Sequence, residues 1–506
     1  MGVRSGAQYL AGLRDNRQIF VNGEVVSDVT DYPAFRRGAA EMARVYDLQH
    51  DPAYQPLLTY PSPLDGAPVS TSFLMATTMD ELDRRIQGES LRADLTYGLM
   101  GRLPDYMNAL ATDTAAIGYL LGHREPAFGE NAVNYWELVR DQDLALTHVL
   151  VDPHVDKSKG VEASQAMRVI EQNSEGLIVE GCKMLSTLAP LSDEVMVAPY
   201  MPRKPGEEAY TLICSIPVAI DGLKFIARES YDHGHSVYDR PLSSRFDEHD
   251  ALAIFEKVLV PWDRVFMYGD IELYNLTSPA YPGYLLLQAV SRATAKLRFV
   301  AGVCALVAET NGRSSITRYQ EMVGELLGLL EIAEGLVVAV AHEVASNSAH
   351  PLQVPSGDES AAPVAAVPGL ATLFGGVGRT SLGITTIRLF FPMVHQKAME
   401  ALRLIGSSGL IMTPTEADFQ NAAIAPYLER YMEGRDGLPA KDRVRVFKLA
   451  WDLLGEAFGS RSLLYEHFFA GDPINNRLLY WNLPKKSEAQ AMAERMIEEI
   501  IERSET

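Results

Sequence analysis

Cysteine is nearly absent from this 506-residue sequence: only Cys182, Cys214 and Cys304 occur. An odd number with no close pair supports neither a disulfide framework nor a CxxC zinc site, and it points to a reducing, cytoplasmic compartment. Positive charge is short too, with 45 Lys and Arg against 66 Asp and Glu and a formal net charge of -21. Sequence-independent binding to nucleic acid or anionic membrane needs the opposite balance, so neither is expected as a partner. Clean apolar runs long enough to span a bilayer are also missing. The longest, Leu326 to Ala341, is interrupted by Glu331 and Glu334 and reads as a buried helix. The first six residues hold no apolar segment, and Gly6 stands where myristoylation wants Ser or Thr, so neither a cleaved leader nor a lipid is expected.

What is present is a globular composition, 47% hydrophobic and 22% charged, which excludes disorder over the chain as a whole. Periodicity divides it into three zones. Residues 1–150 read as a helical domain, with helical patterns at Phe35 to Tyr46, Met79 to Arg92 and Met107 to Gly122. Residues 151–280 carry short runs such as Leu177-Ile178-Val179, Val195-Met196-Val197, Tyr210 to Ile213, Leu223 to Ile226 and Ala253-Ile254-Phe255, as in an antiparallel barrel or sandwich. Residues 281–506 return to helical spacing at Tyr284 to Thr310, Thr317 to Ala345, Leu382 to Ile405, Asp442 to Phe458 and Ser487 to Glu502, which predicts a helical bundle and tail. Between them, the Pro-rich stretch Ser346 to Pro368 reads as a lid-like loop.

Several familiar patterns fail. His342-Glu343 lacks the second histidine of HExxH because position 346 is Ser, Gly406-Ser407-Ser408-Gly409 is not a nucleophile elbow, and Gly375-Gly376-Val377-Gly378 matches no phosphate loop. His233-Gly234-His235 reads as a polar loop, and no metal is assigned. What remains is Arg102, Asp105 and Tyr106 at a helix start marked by Pro104, and His148 at the end of a helical run about forty residues on. From the residues alone the first reading is structural, with Arg102 paired to Asp105 or another acid and His148 as a capping residue; the second is that Arg102, Tyr106 and His148 converge on a site.

The segments MGRLPDY (100–106), DQDLALTHVLVDP (141–153), PLSSRFDEHDA (241–251), VLVPWDRVF (258–266), FGSR (458–461) and AGDP (470–473) resemble the 4-hydroxyphenylacetate 3-hydroxylase large component. The likeness runs in order over nearly the whole chain. It implies an α+β, acyl-CoA-dehydrogenase-like fold: an N-terminal helical domain, a middle antiparallel β-barrel and a C-terminal four-helix bundle. It implies the oxygenase component of a two-component phenol monooxygenase, which takes FADH2 from a separate flavin reductase. FADH2 reacts with O2 to a flavin C4a-hydroperoxide, which ortho-hydroxylates a 4-hydroxyphenyl substrate, free or tethered to a carrier protein, to a catechol. By the same resemblance Arg102, Tyr106 and His148 are catalytic and contact the substrate hydroxyl, and Tyr200 and Met201 begin a substrate loop. His148, Val149, Leu150, His154, Val155, Asp156, Lys157, Thr187, Gly459, Ser460, Arg461 and Ser462 contact FAD, with Arg461 near the pyrophosphate and the last four reaching it across a subunit boundary in a homotetramer. The competing readings are an acyl-CoA-type flavin dehydrogenase or dehydratase of the same fold, and a non-catalytic flavin or aromatic-ligand binder. Three scattered cysteines cannot supply the iron-sulfur ligands of the dehydratase branch.

Overall fold

Asn22-Gly23 between two short apolar runs is a hairpin signal, and both residues take positive φ where β1 (Gln18–Val21) turns onto β2 (Glu24–Val26). The computed structural model describes residues 2–153, 156, 158, 165–349, 381–481 and 484–505. Its other strands are β3 (Thr59–Pro61), β4 (Pro68–Ser70), β5 (Leu146–Val149), β6 (Arg168–Gln172), β7 (Gly176–Thr187), β8 (Glu194–Val197), β9 (Leu212–Pro217), β10 (Leu223–Ala227), β11 (Asp250–Pro261) and β12 (Val265–Tyr268). They form a six-stranded sheet in the order β2-β1-β10-β11-β7-β6, a four-stranded sheet in the order β12-β9-β8-β5, and the small hairpin β3-β4.

This layer differs from the expected antiparallel barrel. Among the described residues the strands make separate sheets and no closed barrel, and the pairs β1–β10 and β5–β8 are parallel. Both parallel pairs recruit a strand from before residue 150, a long-range choice that a local apolar run does not encode.

The helices that matter for the site are α1 (Met79–Leu95), α2 (Pro104–Ala116), α3 (Pro126–Gln142), α4 (Tyr284–Thr310), α5 (Thr317–Ala349), α6 (Phe391–Gly406), α7 (Ala440–Leu454) and α8 (Ala457–Phe468). Thr78 and Glu81 start α1 with a capping box, and α4 covers the full span its periodicity predicts. Other long patterns break for identifiable reasons. Leu382 to Ile405 is interrupted by a wider π turn, Thr386–Phe390, just before Pro392, which has no N–H to give the preceding turn. Asp442 to Phe458 breaks at Gly455, and α8 starts afresh. The expected loop from Ser346 begins as helix through Ala349, and residues 350–380 lie outside the described residues. The run Leu326 to Ala341 is not fully buried: Leu326, Ala333, Val337, Val340 and Ala341 pack inward while Leu327, Ile332 and Val338 stay exposed. Among the described residues no helix is long and apolar enough to cross a membrane.

One core joins the zones, running from Tyr9 and Val21 through Val149, Val179 and Phe225 to Val300, Ala398 and Phe458. A single buried carboxylate ties α2 to the bundle. Asp113 Oδ1 accepts from the N–H of Gly283 (2.9 Å) and Tyr284 (3.0 Å), and Oδ2 from that of Leu285 (2.9 Å), so a residue about 170 positions away caps α4. Replacing Asp113 by Ala strands three buried donors and is expected to destabilise the fold by about 2 kcal/mol or more. Asp113→Asn, which keeps one acceptor oxygen, should cost about half as much, read from the unfolding midpoint of each variant.

Candidate active site

Pro104 at the first turn of α2, with Leu103 as its cap, fixes where the helix begins and leaves Gly101 and Arg102 in the turn before it. His148 arrives from another direction. Asp143 ends α3 in the left-handed region (φ 51°), so the chain turns and continues as β5; the histidine therefore sits on a strand and is not a helix cap. The entry to β5 is pinned from the N-terminal segment, where Arg4 donates from its backbone N–H to Asp143 Oδ2 (3.0 Å) and from Nη2 to Asp193 Oδ2 (2.7 Å). Asp193 also accepts the N–H of Ala145 at 2.7 Å. Alternation then sends Val149 into the core and His148 to the opposite face. Ser186 Oγ donates to the His148 carbonyl at 3.1 Å, and Thr147 Oγ1 donates to the Thr187 carbonyl at 2.6 Å, which fastens β5 to β7.

Arg102, Tyr106 and His148 meet, each under a tenth exposed. The Arg102 guanidinium lies over the Tyr106 ring at 3.9 Å, and the Tyr106 and His148 rings are 5.9 Å apart. Arg102 does not pair with Asp105, which instead accepts from Gln288 Nε2 at 3.0 Å. No carboxylate ion-pairs with Arg102 among the described residues. Glu248 accepts the Arg102 backbone N–H at 2.7 Å, but its side-chain partner is Arg461. Burial opposes the Arg102 charge, and Tyr106, Tyr465 and Glu248 more than restore it. Burial pushes the His148 imidazole down to about 3, with Arg102 adding to the shift. Among the described residues, Arg102 Nε and both ring nitrogens of His148 are buried without a hydrogen-bond partner.

A second group adjoins the first. Thr187 Oγ1 donates to Asp250 Oδ1 at 2.8 Å, and Arg461 forks onto the same carboxylate through Nε (2.7 Å) and Nη2 (2.8 Å). The Arg461 and Arg228 cations hold Asp250 far below the usual carboxylate range against the opposing effect of burial. Arg461, expected beside a pyrophosphate, is thus held by two carboxylates of its own chain. Ser462 accepts from Lys296, which also pairs with Glu466, itself bonded to Arg292. Gly459 is buried at the start of α8, where a Cβ would lie 2.3 Å from the Leu453 carbonyl oxygen, so it permits the close crossing of α7 and α8. Ser460 faces outward.

The remaining expected residues scatter. Tyr200 is half-buried, and burial raises its phenol, with Arg388 and Tyr106 also acting on it; Met201 is exposed. Leu150 gives its carbonyl to Lys183 Nζ at 3.0 Å. Asp156 accepts from Ser158, and His154, Val155 and Lys157 lie outside the described residues. Tyr465, Glu248 and Asp250 escaped sequence reasoning. The two acids sit inside the PLSSRFDEHDA block, and Tyr465 falls one helical turn after Arg461, spacing that could have flagged it.

Comparison with known proteins gives a consistent picture. Residues 5–267 match the profile described as 4-hydroxyphenylacetate 3-hydroxylase N terminal, and residues 282–498 the one described as 4-hydroxyphenylacetate 3-hydroxylase C terminal. The chain is 37% identical to the 4-hydroxyphenylacetate 3-monooxygenase oxygenase component of Thermus thermophilus, over 96% of this chain and 95% of that one. It is 31% identical, over 94% of this chain and 86% of that one, to a Streptomyces globisporus monooxygenase acting on a (3S)-3-amino-3-(3-chloro-4-hydroxyphenyl)propanoyl group on a peptidyl-carrier protein. Among solved structures, an oxygenase component of 4-hydroxyphenylacetate 3-monooxygenase complexed with FAD and 4-hydroxyphenylacetate superposes with a TM-score of 0.86 at 35% identity, covering 98% of this chain and 100% of that one.

Burial of titratable groups acts in both directions near neutral pH. His148 and His395 are pushed by burial to about 3 and His249 to about 4, whereas an unfolded imidazole titrates near 6.5. As the pH falls below 6.5 these rings favour the unfolded chain, which binds protons they do not, while burial raises the carboxyls of Glu89 to about 7 and of Asp113 and Glu194 to about 6, which favour the folded chain in the same window. His395→Gln removes one of the opposing contributions, so its unfolding midpoint should fall less between pH 7 and 5 than that of the unmodified chain; equal slopes would contradict the neutral, buried state of that ring.

Proposed function

The chain belongs to the 4-hydroxyphenylacetate 3-hydroxylase family, and from that premise we propose how its own residues serve the reaction. It is a flavin-dependent phenol monooxygenase that uses FAD and hydroxylates a 4-hydroxyphenyl substrate beside the phenol hydroxyl, with reduced flavin supplied by a separate reductase. Its finer fold is proposed to be acyl-CoA-dehydrogenase-like, with domains at 1–150, 151–280 and 281–506. The scarcity of cysteine supports a cytoplasmic setting.

The observation that carries the mechanism is the buried Arg102 charge, without a carboxylate ion pair among the described residues, beside a neutral His148. An aromatic ring attacks an electrophilic oxygen better as it approaches phenolate. A phenol oxygen about 4 Å from a guanidinium gains roughly 4 kcal/mol at an effective dielectric of about 20, enough to lower a phenol pKa near 10 by up to about 3 units. We assign that work to Arg102. His148, with a proton affinity as low as burial leaves it, is a poor acceptor for a full phenol proton, and its open nitrogens serve better as hydrogen-bond partners of the substrate hydroxyl. Tyr106 packs the guanidinium in place.

A flavin ring fits here because buried polar atoms that have no partner among the described residues, Arg102 Nε and the His148 nitrogens, lie beside β5. When bound, reduced FAD supplies the activated oxygen. Val149, Leu150 and Thr187 are proposed to border its ring, and His154 to Lys157 its continuation. Tyr200 and Met201 are proposed to close over the substrate. Gly459, Ser460, Arg461 and Ser462 are proposed to serve a neighbouring subunit's cofactor. The outward Ser460 supports this, as do the exposed Ile332 and Val338 on α5 and Leu464 and Phe468 on α8, which suit a homotetramer. Sedimentation is expected to give about four times the 55.7 kDa chain mass; a monomer would refute the shared site.

Arg102→Ala should lower kcat/KM for catechol formation by about a hundredfold or more, and His148→Ala by less, with the fold intact. Full product formation by both variants would overturn the assignment. Incorporation of one oxygen atom from O2 into the phenol, with FADH2 supplied, separates this reading from an acyl-thioester dehydrogenase, which transfers none. Turnover of free 4-hydroxyphenylacetate against a pantetheine-linked phenol decides whether the substrate arrives free or on a carrier.

A further inference from the structure

Arg102 can reach a substrate oxygen only if its planar fork is held at one angle, and a guanidinium has five N–H donors to satisfy. Nη1 donates to the Gly101 carbonyl (3.1 Å) and to the Tyr465 hydroxyl. The Tyr106 ring lies at 3.9 Å and the Tyr465 ring at 5.2 Å from the guanidinium carbon. With Nη1 engaged, the unpartnered Nε edge is left for a ligand. Tyr465 is itself immobilised: it stands one turn beyond Arg461, which forks onto Asp250, and next to Glu466, which binds Arg292 and Lys296. Room for its hydroxyl exists only because residue 101 is glycine, since a Cβ there would lie 2.3 Å from Tyr465 Oη.

The chemical type of this partner matters. A carboxylate in the same place would hold Arg102 equally well and would cancel most of its charge. A phenol holds it while staying neutral, because burial raises the Tyr465 hydroxyl well above its ordinary range. We propose that Tyr465 is a positioning residue for the hydroxylation: it orients Arg102 through Nη1 without neutralising it, so that the free donor edge and the full positive charge meet the substrate phenol oxygen. This rests on the role given to Arg102 above.

The test uses the FADH2-loaded protein without oxygen and 4-hydroxyphenylacetate as probe, reading the pKa of the bound phenol from its phenolate absorbance. Tyr465→Phe removes the acceptor, and Gly101→Ala displaces it from the opposite side. Both are expected to raise the bound-phenol pKa by about half to one unit, and to lower kcat about three- to tenfold with KM changed less than about twofold. Arg102→Met should raise that pKa further. If both Tyr465→Phe and Gly101→Ala leave it at the wild-type value while Arg102→Met moves it, Tyr465 is a bystander and the proposal falls. If Arg102→Met leaves it unmoved, or the wild-type protein binds no phenol, the role of Arg102 falls and takes the proposal with it.

Discussion

A guanidinium buried as deeply as that of Arg102 keeps its charge against a desolvation penalty, and protein interiors ordinarily offset that penalty with a carboxylate. Acids are close by, yet each is committed elsewhere: Glu248 and Asp250 to Arg461, Asp105 to Gln288, Glu466 to Arg292 and Lys296. Two aromatic faces, a backbone carbonyl and a phenol hydroxyl hold the cation instead. Such a site remains short of one negative charge, and a substrate that becomes more anionic as it reacts supplies it. Burial keeps His148 neutral, and the Arg102 charge adds to the effect, because two cations side by side in so little water would repel.

The elements that carry this arrangement come from three distant parts of the chain. The turn before α2 brings Arg102, β5 brings His148, and α8 brings Tyr465 and Arg461. Their relative placement depends on polar anchors as much as on the shared core. Arg4 and Asp193 hold the entry to β5, Asp113 holds α2 against α4, and the Asp250 fork joins α8 to the sheet. Because these anchors are buried and directional, they specify register where apolar packing alone would tolerate slippage.

Individual elements were legible from periodicity, α4 to the residue and the strands around Leu177, Val195 and Leu223, because each is encoded by neighbours in sequence, whereas the five short strands β1 to β5 within the first 150 residues were not read. Pairing was not legible: nothing local announces that β1 will lie parallel to β10 or β5 to β8. The resemblance brought Arg102, Tyr106 and His148 into view as one group, where the residues alone favoured an ion pair for Arg102 and a capping role for His148. Tyr465 stayed hidden because its meaning arises only across 363 positions of chain, through contact with Arg102. The exposed half of α5 was missed because a run apolar on both faces looks buried whichever face is covered.

The bond between Asp113 and the start of α4 also has a temporal side. A chain emerging from the ribosome presents its N-terminal part first, so the carboxylate on α2 exists before the first residue of α4 is made. Helix nucleation is the costly step in helix formation, and three donors at residues 283 to 285 find an acceptor waiting as they appear. A 27-residue core helix of the bundle thus starts against a segment already synthesised, which makes the order of synthesis part of how the two halves of the protein find their alignment.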